Sequence, residues 1–142
     1  MGTYRFSVHV EAPPGVVFRL WTDVDRMHEW VEGVTKVSDR TGPTTVVGTR
    51  YVVSFGGMKS PTEVLEADPP RRFRTRFGNR MLRGQNASTF EPEGSGTRVT
   101  ETFTTEGIIP AIAAWIFARG SYKGSFQGEL EAFAKIAERE PR

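Results

Sequence analysis

The sequence predicts an α+β fold in which a seven-stranded antiparallel sheet wraps around one long C-terminal helix. Residues 4–11 alternate between apolar and polar side chains, which is the pattern of a half-buried strand. Six similar segments follow, and glycine- and proline-rich turns separate them. Over residues 110–139 the apolar residues recur at helical spacing. Because a sheet cannot bury one face alone, we expect this helix to cover it.

Two short helices are predicted between the first strand and the rest of the sheet. Pro13-Pro14-Gly15 ends the strand, and proline is tolerated in the first turn of a helix. Apolar residues at helical spacing place the first helix at about 16–22. Asp23 and Asp25 are N-cap candidates for the second helix, which we expect at 26–31.

The remaining strands are predicted from alternation and from the turns between them. We expect them at 34–39, 48–55, 61–67, 72–77, 82–90 and 97–105. The apolar-richer face of these strands also carries Asn86, Ser88 and Glu101. An aromatic interior with sparse polar groups is typical of a ligand site, and the alternative is an ordinary filled core. The architecture favours a ligand site, because a twisted sheet and a helix differ in curvature and leave space between them.

The composition excludes several classes of functional site. The 142 residues contain no cysteine, so disulfides, thiolate zinc sites and cysteine nucleophiles are excluded. The two histidines, His9 and His28, exclude a multi-histidine metal centre, and we expect no metal and no cofactor. The length corresponds to a single domain, residues 1–142. The sequence does not fix the oligomeric state.

Charge and the N-terminal residues bear on partners and location. A net charge of +2 is too small to indicate nucleic-acid binding by itself. The first residues carry no apolar run long enough for a signal peptide or a membrane span, so we expect a cytoplasmic protein.

Six arginines cluster in one segment. They are Arg71, Arg72, Arg74, Arg76, Arg80 and Arg83. Such a stripe suits the phosphates of RNA or an anionic membrane. It is explained equally well as a solvated outer strand face opposite acidic residues. No RNA-binding aromatic motif accompanies the arginines, which argues against nucleic acid.

Several short motifs resemble those of the START/Bet v 1-like (SRPBCC) superfamily. Near the N-terminus they are Ala12-Pro13-Pro14, Val17, Thr22-Asp23, Trp30, Gly33 and Val34. Further along they are Gly48-Thr49-Arg50, the segment 66–73, Phe90-Glu91-Pro92 and the segment 96–100. The branch that the chain resembles most is the polyketide cyclase/dehydrase and lipid-transport family, over essentially the whole chain. The resemblance implies the helix-grip fold and the functions found in that family, but no reaction-specific motif is matched.

The predicted interior supplies the candidate ligand-binding residues. They are Trp30, Tyr51, Phe55, Phe77, Ser88, Phe90, Glu101, Phe103, Trp115, Arg119 and Tyr122. Arg119 lies on the apolar stripe of the long helix, where it either anchors a ligand carboxylate or enolate, extends to the cavity mouth, or pairs with Glu101. Glu101 and His28 are the candidates for moving protons.

Three glycines lie four residues apart on the predicted long helix. They are Gly120, Gly124 and Gly128. A glycine inside a helix lowers its stability by about 1 kcal/mol relative to alanine. We expect them to allow close packing against a strand. Space kept open beside a ligand and a helix break near Gly120 are the alternatives.

The leading functional hypothesis is binding of a hydrophobic or polycyclic, lipid- or polyketide-like molecule between sheet and helix, without catalysis. The alternative is a cyclase or dehydratase that folds a polyketide-like chain in the same space. A less favoured third hypothesis is an interaction protein that uses the arginine-rich strand face.

Overall fold

The computed structural model describes residues 2–80, 82–108 and 122–142. The strands in these ranges are β1 (Gly2–Val10), β2 (Val34–Ser38), β3 (Arg50–Phe55), β4 (Met58–Asp68), β5 (Arg72–Gly78), β6 (Leu82–Glu93) and β7 (Gly96–Ile108). The helices are α1 (Pro14–Trp21), a 3₁₀ helix (Val24–Glu29) and α2 (Tyr122–Ala137).

Antiparallel pairing joins the seven strands into one sheet, in the order β1-β7-β6-β5-β4-β3-β2. Strands β2 to β7 form a consecutive meander. Strand β1 pairs with β7 along its whole length, from Gly2 opposite Thr105 to Val10 opposite Thr97. The predicted seven-stranded antiparallel sheet with a C-terminal helix is therefore confirmed.

The strand register places the predicted apolar faces on one side of the sheet, called here the inner face. Asn86 of β6 lies opposite Phe103 of β7, and Ser88 lies opposite Glu101. Thr75 of β5 lies opposite Asn86. The polar residues that alternation assigned to the interior thus share the inner face with the aromatic residues.

Helix α2 is held against the inner face by aromatic contacts. Phe133 is fully buried and meets Trp21 edge-on at a ring-centroid distance of 5.0 Å and Trp30 at 5.1 Å. Phe126 stacks on Phe6 of β1 at 5.2 Å. Each such pair contributes about 0.5–1.5 kcal/mol beyond the area it buries. These contacts join α2 both to the β1 end of the sheet and to the segment of the two short helices.

The second short helix differs from the prediction in type and position. It is a 3₁₀ helix at Val24–Glu29 and not an α-helix at 26–31. Asp23 occupies the N-cap position, but its side chain makes no capping hydrogen bond. The backbone N–H of Arg26 instead donates to the carbonyl of Asp23 at 3.0 Å. A backbone turn, and not a side-chain cap, therefore starts this helix.

Strands β6 and β7 are longer than alternation predicts. Pairing continues to Glu93 opposite Gly96, so the turn contains only Gly94 and Ser95. Pro92 lies within β6, beyond Thr89, the last residue of β6 that pairs with β5. A proline is tolerated there because the strand has no second neighbour that needs its N–H.

The C-terminal residues fold back onto the N-terminal part of the chain. The backbone N–H of Glu11 donates to Glu138 Oε2 at 2.9 Å, and the Arg142 guanidinium donates to the Glu11 carbonyl at 2.8 Å. Glu140 forms an ion pair with Arg26 of the 3₁₀ helix. The end of the chain is thus tied to the end of β1 and to the 3₁₀ helix.

Of the three glycines that lie four residues apart, only Gly128 has surroundings that the structure describes. Residues 110–121, the first part of the predicted long helix, lie outside the described residues. Gly128 is exposed, and a Cβ built on it would meet no heavy atom within 4 Å. The expectation of close packing is therefore wrong at Gly128, because the residue faces open space and not a strand.

We predict that Gly128→Ala raises the free energy of unfolding by up to about 1 kcal/mol, because alanine restricts the unfolded chain and favours the helix. Gly84→Ala is the matched contrast, because a Cβ at Gly84 would lie 2.2 Å from the Thr104 carbonyl oxygen. That variant should lose stability. Urea denaturation measures both. Destabilisation by Gly128→Ala would contradict the open surroundings.

Candidate functional site

Two adjoining pockets lie on the inner face of the sheet. The first, called here the sheet pocket, has a volume of about 220 Å³. Its walls include Val34, Val53, Phe55, Met58, Phe77 and Leu82. The second, called here the helix pocket, lies between α2, the 3₁₀ helix and the sheet and has a volume of about 180 Å³. Its walls include Trp21, Trp30, Glu101, Phe126, Glu129 and Leu130.

The two pockets share part of their walls. The residues that line both are Met27, Val31, Tyr51, Thr75 and Asn86. Small-molecule sites in proteins have volumes of roughly 300–1,000 Å³ and are mostly apolar with a few polar groups. Taken together, the two volumes fall within that range, and their walls have that composition.

Glu101 is the buried carboxyl of the helix pocket. The residue is 7% exposed, and Asn86 Nδ2 donates a hydrogen bond to its Oε2 at 2.7 Å. Burial raises the pKa of Glu101 to about 7, and the hydrogen bond from Asn86 offsets part of that rise. A carboxyl with this pKa exchanges its proton near neutral pH, so it is chemically able to act as a general acid or base.

Tyr51 contributes a second polar group to the pocket walls. It lies on β3, is 3% exposed and lines both pockets. Burial raises the pKa of its hydroxyl above the ordinary value, so the group stays protonated and remains a hydrogen-bond donor.

Five of the candidate residues line the pockets. Tyr51 lines both, Phe55 and Phe77 line the sheet pocket, and Trp30 and Glu101 line the helix pocket. The elements that position them are the 3₁₀ helix and strands β3, β5 and β7.

Three other candidates lie deeper in the packing. Ser88 is 2% exposed, and its hydroxyl lies 3.5 Å from Asn86 Oδ1. Phe90 belongs to the core, where its ring meets that of Phe18 at 5.4 Å. Phe103 stacks on Phe77 at 5.4 Å and supports that pocket wall from behind. None of the three is among the described lining residues of either pocket.

The remaining candidates are placed elsewhere. Trp115, Arg119 and the side chain of Tyr122 lie outside the described residues, so the pairing of Arg119 with Glu101 stays a prediction. His28 is exposed on the 3₁₀ helix and lines neither pocket. Its position gives it no contact with the pocket interior.

Four of the five residues that line both pockets are missing from the sequence-derived set. Thr75 and Asn86 alternate with aromatic residues on their strands, and this alternation assigned them to the inner face without indicating that they border open space. Met27 and Val31 flank Trp30, and helical spacing could have paired them on one side of the short helix.

Arg72, Arg74 and Arg76 of the arginine cluster lie on the outer face of the sheet, on β5. Arg74 donates a hydrogen bond to Gln85 Oε1 at 3.0 Å, and both Arg72 and Arg74 lie within 4 Å of Glu66. This arrangement agrees with the interpretation of a solvated face opposite acidic residues.

The outer face also carries a groove of about 450 Å³. Charges of both signs line it, including Arg50, Arg76 and Arg83 together with Glu63 and Glu106. The groove is larger than either inner pocket, but its mixed charge suits neither an apolar ligand nor a polyanion.

His9 on β1 contacts two glutamates, Glu11 and Glu93. Its Nδ1 lies 2.6 Å from a Glu93 oxygen and its Nε2 lies 2.8 Å from a Glu11 oxygen. The hydrogen bonds to Glu11 and Glu93 raise the pKa of His9. This cluster lies on the outer face, away from the pockets.

Residues 2–80, 82–108 and 122–142 contain neither a cluster of metal ligands nor a helix that could span a membrane. No group of three or more potential side-chain ligands comes together there to hold a metal ion. No helix in the same ranges is both long enough and apolar enough to span a bilayer.

We predict that Glu101→Gln stabilises the protein at pH 8 by up to about 3 kcal/mol, with little effect at pH 4.5. The pKa of Glu101 is raised by folding to about 7, so the native state holds the proton more tightly than the unfolded chain. Wild-type stability therefore falls as pH rises from about 4.5 to 7. Urea denaturation across this pH range measures the difference.

The exposed helical carboxylate Glu131 provides the control, and Glu131→Gln should change stability little at either pH. A loss of stability in Glu101→Gln at pH 8 would contradict the raised pKa of Glu101. It would indicate instead that Glu101 is ionised and paired with a cation such as Arg119.

Solved structures of several proteins resemble this chain over nearly its whole length. Protein MLL2253 from Mesorhizobium loti has a TM-score of 0.76 at 20% identity, with 99% of this chain and 100% of that chain covered. DynU16, encoded in the dynemicin biosynthetic locus, has a TM-score of 0.69 at 23% identity, with 96% and 47% covered. Ara h 8.0201 has a TM-score of 0.67 at 14% identity, with 98% and 99% covered. At these identities the likeness shows the fold alone.

Sequence comparison gives the family. No curated protein matches the sequence. The family described as polyketide cyclase / dehydrase and lipid transport matches residues 1–138. The fold is the Bet v 1-like helix-grip fold, and the chain belongs to the polyketide cyclase / dehydrase and lipid transport family.

Proposed function

We propose that the protein binds a hydrophobic or polycyclic small molecule, lipid- or polyketide-like, in the space between the sheet and the C-terminal helix. The observation that carries this proposal is the pair of adjoining pockets with largely apolar walls. Membership of a family that includes lipid transport and polyketide cyclisation is consistent with it.

Burial of apolar surface supplies the affinity. Phe55, Phe77 and Val53 form one wall, and Trp21 and Trp30 form another. Each Å² of apolar ligand surface removed from water contributes about 25 cal/mol. An aromatic or aliphatic ligand that fills both pockets is therefore held mainly by these walls, and the polar groups set its orientation.

Glu101, Tyr51 and Arg119 are the polar groups proposed to orient the ligand. Glu101 and Tyr51 lie in the described walls, and Arg119, which lies outside the described residues, remains a proposed anchor. Phe103 and Phe90 act by packing behind the walls, and Ser88 supports Asn86.

We predict that Val31→Trp weakens binding of the polycyclic fluorescent probe 8-anilinonaphthalene-1-sulfonate at least tenfold, because the larger ring fills space at the shared wall. Val31 is half-buried and lines both pockets. The control is Val46→Trp, because Val46 is 52% exposed and lines neither pocket. Probe fluorescence measures both. Unchanged binding in Val31→Trp, with the fold intact by circular dichroism, would place the probe outside the pockets and contradict the proposal.

A cyclase or dehydratase is the second candidate function. The specific observation in its favour is Glu101, a buried carboxyl with a pKa near 7 that lies in the helix pocket beside Asn86. In an aldol-type cyclisation, such a carboxylate removes a proton from the carbon next to one carbonyl. That carbon then bonds to a second carbonyl, whose oxygen takes up a proton. Loss of water from the resulting alcohol gives the dehydrated ring.

For this second candidate, the predicted result is that Glu101→Gln lowers the cyclisation rate of a linear poly-β-ketone at least a hundredfold. Binding of the fluorescent probe should persist in the variant. Chromatography of the products and a rate profile from pH 5 to pH 9 are the measurements. An equal rate in wild type, in Glu101→Gln and without protein would rule out catalysis and leave binding alone.

A further inference from the structure

The wall that the two pockets share is more polar than the walls on either side. Tyr51 of β3, Thr75 of β5 and Asn86 of β6 line both pockets. Asn86 is hydrogen-bonded to Glu101 of β7. These four residues are called here the polar belt. The sheet pocket beyond it is walled mainly by aliphatic and aromatic side chains, and the helix pocket includes two tryptophans.

Two residues of the polar belt that line both pockets carry hydroxyls, Tyr51 and Thr75. Tyr51 is 3% exposed and Thr75 is 8% exposed, and neither side chain donates a hydrogen bond to a described residue. No fully enclosed polar side-chain atom in the described part of the chain lacks a hydrogen-bond partner. The two hydroxyls are therefore not sealed in the core but open onto the pockets, where a ligand atom can meet them.

Asn86 has further hydrogen-bonding capacity. One of its N–H groups donates to Glu101 Oε2 at 2.7 Å. A side-chain amide carries two N–H groups, so the second is available to another acceptor. The belt thus presents up to three neutral donors, from Tyr51, Thr75 and Asn86, at the junction of the two pockets.

The donors of the polar belt suit a carbonyl oxygen. Tyr51, Thr75 and Asn86 offer O–H and N–H groups, and none of the three side chains is charged. A ketone oxygen accepts two hydrogen bonds and brings no charge.

We propose that the polar belt binds a neutral carbonyl oxygen in the middle of the ligand, whose two apolar ends occupy the sheet pocket and the helix pocket. This inference rests on the proposed binding function and specifies its ligand class. The class is an apolar, polycyclic or elongated ketone, as opposed to a hydrocarbon without a polar centre.

The test compares 9-fluorenone with fluorene, which share one tricyclic skeleton and differ in the central carbonyl. Fluorene is the more apolar of the two, so walls without a polar belt would bind it more tightly. We expect 9-fluorenone to bind at least fivefold more tightly, about the effect of one good hydrogen bond. Quenching of tryptophan fluorescence reports binding, because Trp21 and Trp30 line the helix pocket.

Two threonines provide a matched pair of variants. Thr75→Val removes a hydroxyl that opens onto both pockets, and we expect the preference for 9-fluorenone to fall to twofold or less. Thr62→Val removes a hydroxyl that already donates to the Ser60 carbonyl at 3.2 Å and lines only the sheet pocket of the two. This control should keep the preference. Tyr51→Phe removes the second hydroxyl and should act as Thr75→Val does.

The outcomes separate the inference from the function on which it rests. Equal or tighter binding of fluorene, or a preference that survives both Thr75→Val and Tyr51→Phe, overturns the polar belt and leaves hydrophobic binding standing. If neither 9-fluorenone nor fluorene binds, both the binding function and the inference are contradicted.

If the inference is correct, the infrared carbonyl band of bound 9-fluorenone moves to lower wavenumber in wild type and less in Tyr51→Phe.

Discussion

The packing of one helix into a curved sheet determines where open space remains in this molecule. Phe133 of α2 meets Trp21 and Trp30, and Phe126 stacks on Phe6, so the helix is fixed over the β1 end of the inner face. The opposite part of that face, formed by β3 to β5, curves away from these contacts and borders the sheet pocket. The same aromatic contacts that stabilise the fold therefore leave the pockets beside them.

The polar groups of the inner face lower the stability of the protein, and the fold tolerates that loss. A buried carboxyl such as Glu101 stabilises the protein less when it is ionised, and an interior built only for stability would hold an apolar residue there. Tyr51 and Thr75 also place hydroxyls beside open space where methyl groups would pack as well. Violations of this kind concentrate where a protein binds or transforms a ligand, because a bound ligand supplies the missing partners.

Alternation predicted the strands and their buried faces, because side chains on a strand point to opposite sides in turn. It could not distinguish Asn86, which borders the pockets, from Phe90, which packs in the core, since both lie on the inner face four residues apart. That difference depends on which residues of other elements lie opposite, and only the three-dimensional packing determines it. A hydrophobic pattern with a period of 3.6 residues describes an α-helix, so it could not predict the 3₁₀ helix. Gly128 shows that regular glycine spacing does not by itself indicate close packing.

We propose that the space between sheet and helix is open to a small apolar molecule. A crystal structure determined under xenon pressure tests it directly, because xenon enters apolar cavities of this size and is located by its scattering. We expect xenon in the sheet pocket near Val53 and Phe77 and in the helix pocket near Trp30 and Leu130. An inner face on which side chains close both volumes and no xenon binds would contradict it.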